Sequence, residues 1–250
     1  MKNNTTYARH SEVSAKSIVR VRKQERTVVS RPGAIRIWSP DPDQIHGLLG
    51  ESIATSLAAA FSSREWSRTP MPIGNCTDPH SARGILAQLA GRSQAVLASE
   101  DEPAISLQAQ RVVGCVLGGV LDEALIAAYG LQPYGAREGD GLLAYIGVVP
   151  AAQGMRLRPH DDGIHEAARY RVNRMAKTDS TSLASLLFSG WLALPIVRSC
   201  PAVFVRTRQV PKPIIHLAAK NGFEFSGCFT VDFHGERQDR MVFRRELRVA

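Results

Sequence analysis

Between Leu142 and Leu157 the chain reads LLAYIGVVPAAQGMRL, and this stretch holds the residues best suited to chemistry. An apolar run ends in Val148, Val149 and Pro150, and a short turn then brings Gln153, Gly154, Met155, Arg156, Leu157 and Arg158. The run is bounded by Gly139, Asp140 and Gly141 before it and by Pro150 after it, so its length and flanks suit a buried strand better than a helix. Gly147 within it signals a bulge or a close backbone approach. A strand running into a turn of exposed backbone N–H groups is a natural seat for a phosphate-bearing ligand. Other chemistries find no footing. The chain has no Ser-His-Asp order, no H-E-x-x-H spacing, no Walker-type loop and no C-x-x-C pair, so no metal site is expected.

The elements around this stretch follow from pattern. Ala34–Trp38 alternates as a half-buried strand. Ser39, Pro40, Asp41, Pro42 and Asp43 supply helix-start chemistry. Ile45, Leu48, Leu49, Ile53, Leu57 and Phe61 recur at three- and four-residue steps, which predicts one amphipathic helix. A polar loop broken by prolines follows over 62–79, then a helix near Ser81–Leu89. Strands are expected at Gln94–Ser99 and Arg111–Leu121, with a partial helix and loop over Ala124–Asp140. Beyond the turn, Arg158-Pro159 disfavours helix continuation, and His160–Lys177 reads as a separate charged helical segment. Asp179, Ser180, Thr181 and Ser182 then form an N-cap cluster for a helix over Leu183–Leu194.

Composition bounds the rest. The 250 residues are 44% hydrophobic and 22% charged, ordinary for a soluble globular chain, with no run long enough for a membrane span. The four cysteines lie far apart, which fits reduced thiols in a cytoplasmic protein, and no secretory segment is read at the N-terminus. The net charge of +8 is concentrated in residues 1–33, where eight Lys/Arg stand against two acids. That segment reads as a basic flexible tail. A solvated tail, an arm for nucleic acid or an acidic carrier protein, and a transit peptide remain open readings of it.

The ordered set of strand, V-x-P-like end, Gln-Gly turn, helix, strand (Ala202–Thr207), short helix (Ile214–Lys220), Asn221-Gly222-Phe223-Glu224 and closing hairpin (Glu224–Phe233 with Arg240–Arg248) resembles the GNAT superfamily of acyl-CoA-dependent N-acyltransferases. The resemblance implies an α/β (α+β) fold over 34–250: a mixed twisted sheet of about seven strands with helices on both faces, and an inserted segment near 158–180. It implies acetyl-CoA or another acyl-CoA as co-substrate, held by Val148, Val149, Gln153, Gly154, Met155, Arg156, Leu157, Arg158, Thr181 and Ser182. It also implies that the 62–79 loop, with Trp66, faces an acceptor.

Two departures qualify the resemblance. Arg156 and Arg158 stand where the family has further Gly or Ala, because a Cβ would intrude on the pyrophosphate. An insertion that opens the turn resolves this. The cradle is then built from two pieces, Val149–Leu157 and the helix start near Thr181-Ser182, with Arg156 or Arg158 as counter-charge. The family's acid-supplying Tyr position is Ala218, and its usual Asn is Pro211, so neither role carries over. His216 is the nearby substitute acid. Glu123, His160, Asp161, His165 and Glu166 are candidate bases, with Glu123 and His216 taken as the catalytic pair. A backbone N–H near Val148–Val149 is expected to polarise the thioester carbonyl.

The expected activity is transfer of an acyl group, acetyl first, to a small-molecule amine in a ternary complex. A non-catalytic acyl-CoA-binding module and an acyl carrier protein donor are the alternatives. A homodimer is an open expectation. Nucleic acid ranks last as a partner, since aromatic residues are only 6% of the chain and give no stacking pattern.

Overall fold

The computed structural model describes residues 34–47, 49–62, 79–88, 93–100, 111–159, 168–172, 180–208, 213–233 and 236–247. The charged tail at 1–33, Trp66, His160, Asp161, His165, Glu166 and Pro211 lie outside them. Among the described residues, one sheet runs through the molecule in the order β7-β5-β6-β1-β2-β3-β4-β8-β10-β9. Its strands are β1 (Ile35–Trp38), β2 (Ser93–Glu100), β3 (Val112–Val120), β4 (Gly141–Val148), β5 (Arg156–Pro159), β6 (Ala168–Val172), β7 (Thr181–Ser182), β8 (Ala202–Arg208), β9 (Glu224–Phe233) and β10 (Glu236–Glu246). Seven of these form the expected mixed core. The other three, β5 to β7, are added on the β1 edge by the segment that follows the turn.

That segment corrects one expectation. The stretch 168–172 is a strand, with Ile35 paired to Tyr170 and Leu157 to Val172, and not part of a charged helix. The alternation in Ala168-Arg169-Tyr170-Arg171-Val172 suits an extended chain, and the free edge of β1 supplies its ladder. The excursion begins at Arg156 and ends at Ser182, wider by two residues at each end than the expected 158–180.

The helices are α1 (Pro42–His46), α2 (Gly50–Ala60), α3 (Pro79–Gln88), α4 (Glu123–Tyr129), α5 (Leu183–Leu192), α6 (Pro195–Arg198) and α7 (Pro213–Lys220). The single helix expected over Ile45–Phe61 is therefore two. Gly47 closes the first by donating its N–H to the Asp43 carbonyl at 2.9 Å and leaves helical geometry at ψ −106°. The expected Leu183–Leu194 helix stops at Leu192, and Pro195 opens α6.

Both faces of the sheet are covered. On one, α1 to α3 bury Ile45, Leu49, Ile53 and Leu57 against Leu97, Leu117 and Tyr145, and α4 buries Leu125 and Ile126 against Phe204 and Val242. On the other, α5 lays Leu187, Phe188 and Trp191, all fully buried, against Val96, Val113 and Val116. Each of those three side chains contributes roughly 1.5–3 kcal/mol through burial. The Trp191 indole N–H also donates to the Gln94 carbonyl at 3.3 Å, which fixes α5 across β2. No helix of the described residues is long and apolar enough to cross a membrane.

Candidate functional site

All strand pairs in the sheet are antiparallel except β4 with β8. That parallel ladder is short: Gly141 pairs Val203, Leu142 pairs Phe204 and Leu143 pairs Val205, and then the strands part. Asp140 fixes the closed end. Its carboxylate accepts from the Ala202 N–H at 3.1 Å and from the Arg137 N–H at 2.9 Å, so the starts of β4 and β8 are tied through one buried side chain. At the parting point β4 carries an extra residue, since Leu117 pairs Tyr145 while Gly118 pairs Leu143, which leaves Ala144 as a bulge.

A cavity of about 680 Å³ occupies the opening and reaches both faces of the sheet. On the α5 face its wall is Leu143, Ile146, Val148, Val205, Ile214 and Leu217. On the α2 and α4 face it is Phe61, Tyr129, Tyr145, Arg206, Arg208 and Arg240. Gly147 lies between β4 and the end of α2, where a Cβ would sit 2.9 Å from the Ala60 Cβ and 3.2 Å from the Phe61 ring. The close approach expected at this glycine is that of α2, and it brings Ala60 and Phe61 to the cavity wall.

The turn after β4 is a 3-10 helix at Pro150–Ala152 followed by Gln153 and Gly154. Gly154 has φ +75°, a conformation only glycine adopts without strain, and its Cβ position faces open space. The chain leaves on its excursion at Met155 and comes back at Leu183, whose N–H donates to the Met155 carbonyl at 3.1 Å. Ser182 caps α5 by accepting from the Ser185 N–H at 3.2 Å. Gly154, Met155, Ser182, Leu183 and Ala184 thus meet at one end of the cavity. The Gly154 and Ala184 amides have no protein acceptor among the described residues, and the positive end of the α5 dipole points the same way. These groups fit a phosphate-bearing ligand. The arginines do not obstruct it, because Arg156 and Arg158 lie on β5 outside the cavity wall.

The ten residues expected at the cofactor therefore divide. Val148, Gln153, Gly154, Met155 and Ser182 line the cavity; Val149, Arg156, Leu157, Arg158 and Thr181 do not. Leu157 is buried in the core. Arg156 is a brace for the excursion, donating from Nε to the Ser180 hydroxyl at 3.0 Å and from Nη2 to the Ser180 carbonyl at 2.6 Å. The Val149 N–H is spent on the Val113 carbonyl at 3.0 Å, so any carbonyl-polarising amide must come from the β8-facing side of β4 beyond Leu143.

Neither expected catalytic residue reaches the cavity. Glu123 is exposed at the start of α4, and His216 is exposed on α7. The reason is geometric: Tyr129, six residues on, takes the inward face of α4, while Ile214 and Leu217 take that of α7. Ala218, at the position of the missing tyrosine, is buried in the core. The wall has no Asp, Glu or His among the described residues; its titratable groups are the phenols Tyr129 and Tyr145 and three guanidiniums.

The guanidiniums were not among the residues picked out from sequence. In β8, Val203 and Val205 face α5, so alternation turns Arg206 and Arg208 with Phe204 toward α4. Arg240 on β10 pairs with Arg208 and shares that face with Val242. Arg206 donates from Nη1 to the Tyr129 carbonyl at 3.0 Å and lies 4.8 Å above the Phe229 ring. Burial lowers its pKa, opposed by the nearby Tyr129 and Tyr145 phenols. Arg240 is 3% exposed, and burial, followed by Arg206 and Arg208, depresses it to about 10.

A sheet whose central parallel pair splays beyond a bulge, with a turn and a helix start at the mouth and a closing hairpin beside it, has the architecture that the sequence resemblance implied. The fold is GNAT-like. No protein-family model matches the chain, and no curated protein does. Among solved structures, the chain is similar to the ribosomal-protein-alanine N-acetyltransferase of Brucella melitensis, at 14% identity over 84% of this chain and 99% of that one, with a TM-score of 0.47. An acetyltransferase of the GNAT family from Streptococcus pneumoniae is 12% identical over 85% of this chain and 99% of that one, TM-score 0.47. The NatC complex bound to Gag peptide and CoA gives 12% over 85% and 98%, TM-score 0.49. At these identities and TM-scores the likenesses carry no chemistry over to this chain.

Proposed function

We propose that the chain is an N-acyltransferase of the GNAT superfamily that moves an acyl group, acetyl first, from an acyl-CoA to a small amine. The observation that carries this reading is the cavity through the β4–β8 opening, with unspent amides at one mouth and phenols at the other. The donor's diphosphate would sit on the Gly154 and Ala184 amides at the α5 start, and its neutral arm would run along β4 between Ile146 and Val148. The amine enters from the α2 and α4 face, so the two substrates meet where the strands part. The amine nitrogen attacks the thioester carbon, the C–N bond forms, the C–S bond breaks and the thiol leaves; the nitrogen gives up one proton. Holding both partners in line supplies several kcal/mol of the barrier reduction.

Proton transfer falls to a phenol. Tyr129 and Tyr145 are the titratable groups of the described wall besides the guanidiniums, and Arg206 stands with its guanidinium carbon 5.8 Å from the centre of the Tyr129 ring. We therefore assign Tyr129 as the base, with Tyr145 beside it.

That no carboxylate or imidazole stands among the described wall residues favours a second reading, an acyl-CoA-binding module without turnover. Calorimetric titration with acetyl-CoA, desulfo-CoA and a longer acyl-CoA, together with thiol release over a panel of amines, separates the two. Micromolar binding with thiol release supports the transferase. Binding without release for any amine supports the module, and no binding of any donor overturns both, leaving an acyl carrier protein as the donor to test.

A further inference from the structure

Gly154 and Ala184, whose amides make the proposed phosphate seat, are separated in the chain by the whole excursion from Arg156 to Ser182. A short continuous turn would hold two such amides by covalent geometry. Here their spacing is set by the junction at which the excursion leaves and returns. Three ties close that junction. The Leu183 N–H donates to the Met155 carbonyl at 3.1 Å. Arg156 pairs Ser182 and Leu157 pairs Thr181, but β7 is only two residues long, so this ladder alone is marginal. The third tie is the Arg156 side chain, which reaches Ser180 with Nε on the hydroxyl at 3.0 Å and Nη2 on the carbonyl at 2.6 Å. Ser180 is 8% exposed, so both bonds are made largely out of water, and a guanidinium makes them stronger than a neutral donor would. Because they leave one planar fork for one residue, they fix orientation as well as distance. Leu157 and Leu183, both buried in the same core cluster, anchor the two sides of the junction beneath them.

We infer that Arg156 is a positioning residue for the donor: by clamping Ser180 it holds the Gly154 and Ala184 amides at the spacing that a diphosphate bridges. This deepens the proposed function and rests on it for the identity of the donor. Arg156 stands outside the cavity wall, so it acts through the amides it spaces and not as a counter-charge on the ligand. That role also accounts for an arginine where the resemblance expects Gly or Ala. The clamp replaces the continuity that the excursion breaks. By linkage, a diphosphate seated across both amides holds the junction closed in turn.

The test is calorimetric titration of the full chain with acetyl-CoA and an NMR titration with S-acetylpantetheine, which has the thioester and the neutral arm but no diphosphate. Wild type should bind acetyl-CoA the tighter. Arg156→Gln should raise the acetyl-CoA dissociation constant about tenfold and leave that of S-acetylpantetheine unchanged, which also shows that the variant is folded. In turnover the loss should appear in the donor KM, with kcat at saturating donor and the amine KM unmoved. Arg156→Lys separates clamp from counter-charge: it keeps the charge without the fork and should lose most of what the Gln variant loses. Ser180→Ala removes only the hydroxyl acceptor, should show a smaller loss of the same kind, and carries the test if the Gln variant does not fold. Hydrogen exchange at the Leu183 amide reads the junction directly, and should be slowed by acetyl-CoA in wild type and hastened by Arg156→Gln without ligand. Unchanged acetyl-CoA affinity in Arg156→Gln, full affinity in Arg156→Lys, or an equal loss of both donors overturns the inference and leaves the donor seat standing. Equal wild-type affinity for the two donors removes the phosphate seat, and the inference with it.

Discussion

Arg240 offers a test of what a buried charge in the cavity wall costs the fold. Its guanidinium is 3% exposed and held at about 10 by burial and by Arg206 and Arg208, with Asp239 opposing. Against the ordinary arginine range, that position corresponds to about 3 kcal/mol of disfavour for the charged form in the folded chain. Arg240→Met removes the charge and keeps most of the length. It also removes hydrogen bonds to the Asp239 carbonyl at 3.3 Å and the Gln238 side chain at 3.1 Å, each worth about 1 kcal/mol net. The disfavour of the buried charge offsets the bonds lost, so the ligand-free variant should be at least as stable as wild type, read as a urea midpoint no lower at neutral pH with an unchanged slope. The sign follows from linkage. A base whose pKa is lowered on folding carries its full penalty below pH 10, and the penalty lifts as pH climbs through 10 toward the ordinary arginine range. The stability of Arg240→Met relative to wild type should therefore fall above pH 10. A variant less stable than wild type by 1 kcal/mol or more at neutral pH, without ligand, refutes this reasoning.

Further outcomes follow from other positions. Gly154→Val should raise the acetyl-CoA dissociation constant at least tenfold while leaving the circular dichroism spectrum intact, because the new side chain stands beside the amide proposed to hold the phosphates, in open space, and strain at φ +75° costs about 1–2 kcal/mol; unchanged affinity would mean the phosphates sit elsewhere. Tyr129→Phe should lower kcat about a hundredfold with donor affinity preserved, and a full rate would return the proton transfer to Tyr145 or water. Asp140→Ala strands the buried Ala202 N–H and removes the acceptor of the part-buried Arg137 N–H at the closed end of the β4–β8 pair, so it should cost about 2 kcal/mol or more in a chemical melt.

The central strand, the turn, the capped α5 and the closing hairpin were legible because each depends on local sequence. Val148-Val149-Pro150 can end only a strand, and Ser182 is a sound N-cap wherever the chain goes next. What escaped depends on partners far along the chain. The segment 168–172 is rich in arginine and looks solvated until β1 offers its edge to Tyr170. Glu123 and His216 were chosen for residue type, but helix phase turns both outward. Arg206, Arg208 and Arg240 looked like ordinary polar positions of two strands. The available signal was Phe204, whose face they share: an arginine in step with a buried phenylalanine on a central strand is aimed inward.

The hydrogen bond from Leu183 to Met155 makes the excursion modular. Its two ends are already in contact, so residues 156–181 could be cut out and Met155 joined through a short linker to Ser182 without moving the amides at the cavity mouth. The shortened chain would resemble an uninterrupted strand–turn–helix. It would also uncover the outer edge of β1, which β6 now occupies, and an uncapped edge recruits other strands. The insertion thus separates two duties that a single loop seldom divides: its ends shape a binding site, while its middle guards the sheet against unwanted company.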